Sequence, residues 1–247
     1  ELYDVNGVKM LSSSVMINQD GETVLLLELE NTTSDMVYLS TSDISINGLV
    51  VSRSTWTSDA INPGKRGIVD VEISSVLDSE YWSIYGIKEV GSVALSLSQR
   101  DSDGNDIADK TPVEIIISGA KAEYDTTGNE VYNNGGLRIV AKTILEDSSE
   151  HSSDMYVLLL AENKSGQTLT IDDVHDSLSV NGFMTDYSYY SMELADGDCA
   201  VLEIKLRGSS LEDNKIGSVS DIKDVEVGFE IKEGRNTIDE SVVSILF

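Results

Sequence analysis

The chain has 247 residues, with 44 Asp or Glu against 17 Lys or Arg, and its formal net charge is −27. This acidity argues against nucleic acid and against anionic lipid surfaces as partners, because both are bound through Lys and Arg. One Cys and two His exclude a disulfide framework and leave little for a histidine metal site. Hydrophobic residues make up 40% of the chain, which is enough for a folded core.

Short strands separated by turn signals are predicted along the first half of the chain. After a strand that opens at Val8, the apolar run at 23–30 predicts a central strand buried on both faces. Strands follow at 36–39 and 44–46, and Asn47-Gly48 then predicts a two-residue hairpin because both residues accept positive φ. Residues 67–73 alternate as a half-buried strand does.

A short helix is predicted at 75–85, where Leu77, Tyr81 and Ile84 share one face. The last two strands, 93–97 and 113–117, are predicted to form a hairpin.

The loop of that hairpin resembles a calcium loop. From Asp101, positions 1, 3 and 5 carry oxygen ligands as in an EF-hand, but position 6 is Asp106 instead of Gly and position 12 is Pro112 instead of Glu. We therefore predict a hairpin turn over 101–106 and no metal site.

The second half of the chain repeats the first. The matching segments lie 129 to 135 residues apart: 6–9 with 135–138, 25–31 with 157–163, 45–49 with 179–183, and 87–90 with 222–225. The drift in spacing is typical of two copies whose loops differ in length. We predict one domain over 1–120 and a second over 121–247, joined near 118–129.

The second copy repeats the predicted elements. Asn181-Gly182 is a second hairpin signal, a short helix is predicted at 209–216, and the final hairpin pairs 225–231 with 242–247. The predicted fold class is all-β, with two tandem immunoglobulin-like β-sandwich domains that each contain one short crossover helix. A barrel is the alternative.

A family resemblance is carried by three features: the run at 25–31, the Asn-Gly hairpins and the segment 211–222. They resemble the extracytoplasmic β-sandwich repeats of Gram-positive (gut Firmicutes-type) lipoproteins and single-span surface proteins. The resemblance implies this fold and an extracellular location, with anchoring to the cell surface through a segment upstream of residue 1. It implies no catalytic residue.

Nucleophilic catalysis has few candidates, because Cys199, His151 and His175 are the Cys and His residues of the chain and no G-x-S-x-G elbow is present. We interpret Cys199 as a buried, unreactive residue. Two N-glycosylation patterns begin at Asn31 and Asn163, and we interpret both as strand-ending turns.

Tyrosines mark the candidate ligand site. Tyr187 and Tyr189 lie on one face of a predicted strand and Tyr190 on the other. Tyr190 corresponds to Trp56 in the first copy, so both are predicted to be buried core positions. Tyr187 and Tyr189 correspond to polar residues, so we predict that they are exposed and bind a ligand.

The sequence thus favours a non-catalytic extracytoplasmic module, either a surface spacer or a ligand-binding or adhesion-type ectodomain. Its partner would be a protein or glycan, neutral or cationic, with no cofactor, no nucleic acid and no membrane contact. The alternative function is a carbohydrate-binding accessory module of a secreted enzyme. Adaptation to high salt is a further interpretation of the acidity.

Overall fold

A computed structural model describes residues 3–52, 58–73, 81–119, 123–149 and 151–246. The chain divides into two compact units, Glu1–Tyr124 and Asp125–Phe247. Both are built from antiparallel strands, so the predicted all-β class is confirmed. Within the described ranges, no helix has the length and apolar character needed to cross a bilayer.

The first unit is a β-sandwich. Its described strands are β1 (Asp4–Val5), β2 (Val8–Ile17), β3 (Thr23–Asn31), β4 (Val37–Ile46), β5 (Leu49–Ser52), β6 (Ser58–Ile61), β7 (Arg66–Glu72), β8 (Ser92–Arg100) and β9 (Asp106–Ile116). One sheet has the order β1-β2-β3-β7. In the other, β4 pairs with β5, β6 and β8, and β8 pairs with β9.

The second unit repeats this arrangement. Its described strands are β10 (Asn129–Asn134), β11 (Leu137–Glu146), β12 (Met155–Asn163), β13 (Leu169–Asp173), β14 (Ser179–Val180), β15 (Phe183–Met184), β16 (Tyr187–Tyr189), β17 (Met192–Leu194), β18 (Cys199–Leu206), β19 (Asp224–Glu233) and β20 (Asn236–Leu246). One sheet contains β10-β11-β12-β18 with β16 paired to β18. The other has the order β15-β14-β19-β13-β17, and β20 pairs with β19.

The core of each unit lies between its sheets. On β3, Leu25, Leu27 and Leu29 are fully buried, while the intervening side chains are half-buried. The prediction of burial on both faces is therefore wrong for β3, which covers the core with one face. In the equivalent strand of the second unit, β12, every side chain from 157 to 161 is buried.

The two predicted Asn-Gly hairpins are confirmed, and both use left-handed backbone. Asn47 and Gly48 have φ of 53° and 83°, and Asn181 and Gly182 have φ of 52° and 77°. The side chain of Asn47 bonds the backbone of Glu89 and Gly91, and that of Asn181 bonds the backbone of Asp221 and Lys223. Each Asn therefore fixes both its own turn and the segment that leads into the first strand of the final hairpin, β8 or β19.

A second pair of asparagines is buried at equivalent strand ends. The Nδ2 of Asn31 donates to the carbonyls of Asp35 and Ile61, each at 2.8 Å. The Nδ2 of Asn163 donates to the carbonyls of Gln167 and Leu194, also at 2.8 Å. Neither Asn has any exposed surface, so the interpretation of both glycosylation patterns as strand-ending turns is confirmed.

The described helices are short. The first of them is Tyr81–Ile84, and residues 75–80 of the predicted segment lie outside the described residues. The second is Gly208–Asp213, which ends before the predicted limit at 216 and buries Leu211. A 3₁₀ turn, Val219–Asp221, follows it.

The final hairpin of the first unit turns at 101–106, as predicted. The amide of Asp101 donates to the carbonyl of Asn105 at 3.0 Å, and Gly104 supplies a φ of 84°. The Asp101 carboxylate accepts from the amides of Asp103 and Asn105 and from the Asn105 side chain. These bonds lower the pKa of Asp101, led by the one from the Asn105 side chain.

The predicted burial of Tyr190 is wrong, since 84% of it is exposed. Strand β16 ends at Tyr189, so alternation along the strand does not extend to Tyr190. Its predicted counterpart Trp56 lies outside the described residues.

Candidate functional site

An open groove of about 580 Å³ lies on the surface of the second unit. Its volume falls in the range of about 300–1,000 Å³ that is common for ligand sites. It is lined by Asp173, His175, Asp176, Met184, Thr185, Asp186, Tyr187, Ser188, Tyr189 and Tyr190. The groove therefore contains both tyrosines that the sequence predicts as ligand contacts.

One wall of the groove comes from an interruption between β13 and β14. In the first unit, β4 runs without a break from Val37 to Ile46, with a bulge where Asp43 has a φ of 52°. The second copy has two more residues between the equivalent positions, 163 to 179 against 31 to 45. The chain accommodates them by leaving the strand over 174–178, which places three polar side chains, Asp173, His175 and Asp176, at the rim.

The interrupted segment is held against β19 at Gly228. The amide of Val174 donates to the Gly228 carbonyl, and the Gly228 amide donates to Ser177 Oγ, both at 2.9 Å. A Cβ at position 228 would lie 2.8 Å from the Cβ of Val174. A glycine is therefore needed where this wall packs on the sheet.

The opposite wall is held by the helix Gly208–Asp213 and its flanks. Ser210 Oγ accepts from the Asp186 amide at 3.0 Å, and the amide of Arg207 donates to the Asp186 carbonyl at 2.9 Å. Asn214, just after the helix, donates through Nδ2 to the Met184 carbonyl at 3.1 Å. These bonds fix the backbone that presents the tyrosines.

Tyr187 and Tyr189 lie on one face of β16, as alternation predicts, but this face turns toward the second sheet. The Tyr187 hydroxyl donates to the Asp173 carboxylate, and the Tyr189 hydroxyl donates to the Ile171 carbonyl at 3.2 Å. The Tyr189 ring meets that of the buried Phe229 edge-on, with centroids 5.9 Å apart. The predicted exposure of both tyrosines is wrong, because they are half-buried, and each offers only part of its ring to a ligand. Their predicted role in binding stays a prediction.

The remaining surface of the groove is apolar and acidic. Tyr190 and Met184 are 84% and 61% exposed. The Asp186 side chain is exposed, and the His175 imidazole, itself 93% exposed, lies 3.4 Å from Asp176. An aromatic ring beside carboxylates suits a ligand that is both apolar and positively charged.

The bond between the Tyr187 hydroxyl and the Asp173 carboxylate should make the stability of the second unit depend on pH. Burial, together with the bond to Asp173, raises the pKa of Tyr187 to about 12, against about 10 for a tyrosine in the unfolded chain. Its contribution to stability is complete below about pH 10 and is lost as the pH rises toward 12. We expect the unfolding free energy to fall between about pH 10 and about pH 12, and to fall less in Tyr187→Phe, as measured by urea denaturation. Equal decreases in both proteins would contradict this pairing.

The Cys and His candidates do not meet in one site. Cys199 is buried at the start of β18. His175 lines the tyrosine groove, whereas His151 lines a second concavity of about 620 Å³ with Ser149, Ser152, Ser153, Asp154, Arg207 and Ser209.

The carboxylate of Asp154, which lines the second concavity, is already bonded to other parts of the fold. Asp154 accepts from the Gly208 amide at 2.7 Å and pairs with Lys205 at 2.8 Å. The Gly208 amide is the main cause that lowers the pKa of Asp154. Across the part of the chain that the structure describes, no group of three or more His, Cys, Asp or Glu could hold a metal ion.

Sequence reasoning missed the groove residues Asp173, Asp176, Met184 and Asp186. Two signals were available. The repeat spacing grows from 132 at Asn163 to 134 at Ser179, which marks the insertion. Residues 165–204 also contain eight Asp or Glu and no Lys or Arg.

No protein-family model and no curated protein matches this sequence. Among solved structures, it is similar to the YadV chaperone, with 10% identity and a TM-score of 0.27 over 97% of this chain and 100% of that one. A complex of the Salmonella enterica SafA pilin with the SafB chaperone gives 11% identity and a TM-score of 0.29 over 99% and 98%. A 1.5-MDa bacterial ice-binding adhesin gives 14% identity and a TM-score of 0.23 over 95% and 62%.

Proposed function

We propose that this chain is a non-catalytic binding module of two tandem immunoglobulin-like β-sandwich domains, displayed at a bacterial cell surface. The strand connections support the domain type. In each unit the chain forms three strands of one sheet and crosses to the other sheet. It later returns to pair β7 with β3 in the first unit and β18 with β12 in the second, and it ends in a hairpin of the second sheet. This crossing between sheets is typical of immunoglobulin-like sandwiches. The resemblance to lipoprotein and surface-protein repeats supports the location.

The observation that carries the proposed binding role is the groove of the second unit. It combines a largely exposed Tyr190 ring with two half-buried tyrosines whose hydroxyls are already bonded. Rings held in place in this way lose little conformational entropy when a ligand packs on them. The ligand is a protein segment or a glycan, bound weakly because the groove is open.

The test is an array of immobilised glycans and random peptides, probed with the full chain. Wild type should bind a subset of the spots. Tyr190→Ala and the double variant Tyr187→Ala, Tyr189→Ala should each weaken that binding by about tenfold or more. The control is Ile17→Ala, which removes a side chain of the first unit that is 68% exposed.

Tyr190→Ala removes little packing, because the residue is 84% exposed, so a loss of binding in this variant is attributed to the groove and not to unfolding. Circular dichroism establishes whether the double variant keeps its strands. Equal signals from wild type and all variants, or an array with no bound spot, would remove the groove as a ligand site.

A further inference from the structure

Among the described residues that line the groove there are three Asp side chains and no Lys or Arg. Asp173, Asp176 and Asp186 line it, and within the described residues neither Asp173 nor Asp186 has a Lys, Arg or His nitrogen within 4.0 Å. The neighbouring cation, Arg207, bonds Ser188 Oγ at 2.6 Å and lies 3.9 Å from Asp154. The groove therefore presents carboxylates that the fold leaves without a positive partner.

The tyrosines do not form a platform for sugar. Stacking on a sugar needs open ring faces, but Tyr187 and Tyr189 are half-buried, and the edge-on contact with Phe229 occupies part of the Tyr189 ring. Tyr190 is the largely exposed ring of the groove. A single open ring flanked by carboxylates suits a cation, which is attracted both to the ring face and to the carboxylates.

We propose that the groove binds a peptide segment through a Lys or Arg side chain, with the side-chain cation between Tyr190 and the carboxylates of Asp176 and Asp186. The exposed Met184 packs on the aliphatic part of that side chain. This inference rests on the proposed binding function and adds the chemistry of the ligand.

The experiment selects binders from a displayed library of random hexapeptides on the full chain, beside a glycan array. We expect the selected peptides to share one Lys or Arg position. Replacing that residue by norleucine should weaken binding by about tenfold or more, and raising NaCl from about 50 to about 500 mM should weaken it as well.

A double variant that removes the charges of Asp176 and Asp186 tests whether these carboxylates bind the cation, and a second double variant is its control. Asp176→Asn, Asp186→Asn should lose about tenfold in affinity for the selected peptides. Both substitutions suit the fold, because the Asp186 side chain is exposed and Asn accepts the positive φ of 54° at position 176. The control Asp20→Asn, Asp103→Asn removes the same charge from exposed turns of the first unit and should bind as wild type does.

The possible outcomes separate this inference from the proposed function. Selected peptides without a basic residue, or bound glycans alone, would overturn the cationic ligand while leaving a binding module. Equal loss of affinity in the control variant would also overturn it, since the effect would then come from net charge. No binder in either screen would remove both the inference and the proposed function.

Discussion

Replacing Asn163 by Ala is expected to lower the unfolding free energy of the second unit by about 3–5 kcal/mol. The substitution leaves the carbonyls of Gln167 and Leu194 and the amide of Ser165 without the partner they have in the folded protein. Each buried polar group that loses its hydrogen bond costs about 1–3 kcal/mol. The side chain has no exposed surface, so water cannot replace it without rearrangement.

The internal repeat supplies a matched variant. Asn31→Ala removes the equivalent bonds from the first unit and should cost a similar amount. Both Trp residues, 56 and 82, belong to the first unit, so tryptophan fluorescence follows that unit and circular dichroism follows both. Asn62→Ala, in an exposed turn, should change stability by less than about 0.5 kcal/mol. A cost below about 1 kcal/mol at both buried positions would show that these bonds do not stabilise the fold.

Replacing Phe229 by Ala is expected to cost about 3–5 kcal/mol, the usual loss for a fully buried aromatic side chain. The cavity would open beneath Tyr189, whose ring packs edge-on against Phe229. We therefore expect weaker ligand binding in the groove as well as a lower denaturation midpoint.

Two comparisons separate these effects. Phe229→Leu keeps most of the volume and should cost less than the change to Ala. Phe183→Ala removes a phenyl ring that is 56% exposed and should change stability by no more than about 1 kcal/mol. If Phe229→Ala were no more damaging than Phe183→Ala, the ring would not belong to the core.

Local chemistry explains why the sequence predicted so much of the fold. Asn-Gly turns have few alternatives to a hairpin, because adjacent residues must both adopt positive φ, and both turns occur where predicted. The final hairpins, 93–97 with 113–117 and 225–231 with 242–247, likewise follow from alternation and turn residues. The repeat strengthens each of these predictions, since two copies seldom share a pattern by chance.

The groove was less predictable because its contacts join residues that are distant in sequence. Alternation correctly places Tyr187 and Tyr189 on one face of β16, but it does not indicate which residues that face contacts. The partners of their hydroxyls, Asp173 and Ile171, come from β13, and those contacts depend on how the sheets pack. The prediction for Tyr190 is wrong because an aromatic match between two copies, here with Trp56, does not require that both positions are buried.

The groove also lies within one continuous stretch of chain, residues 173–190, and this has a practical consequence. Trypsin cleaves after Lys and Arg, and cleavage at Lys164 and Lys205 would release residues 165–205 as a single fragment of 41 residues. That fragment carries every lining residue of the groove together with Cys199. A ligand cross-linked anywhere in the groove would therefore be recovered on one peptide, and the mass of that peptide alone would report occupancy.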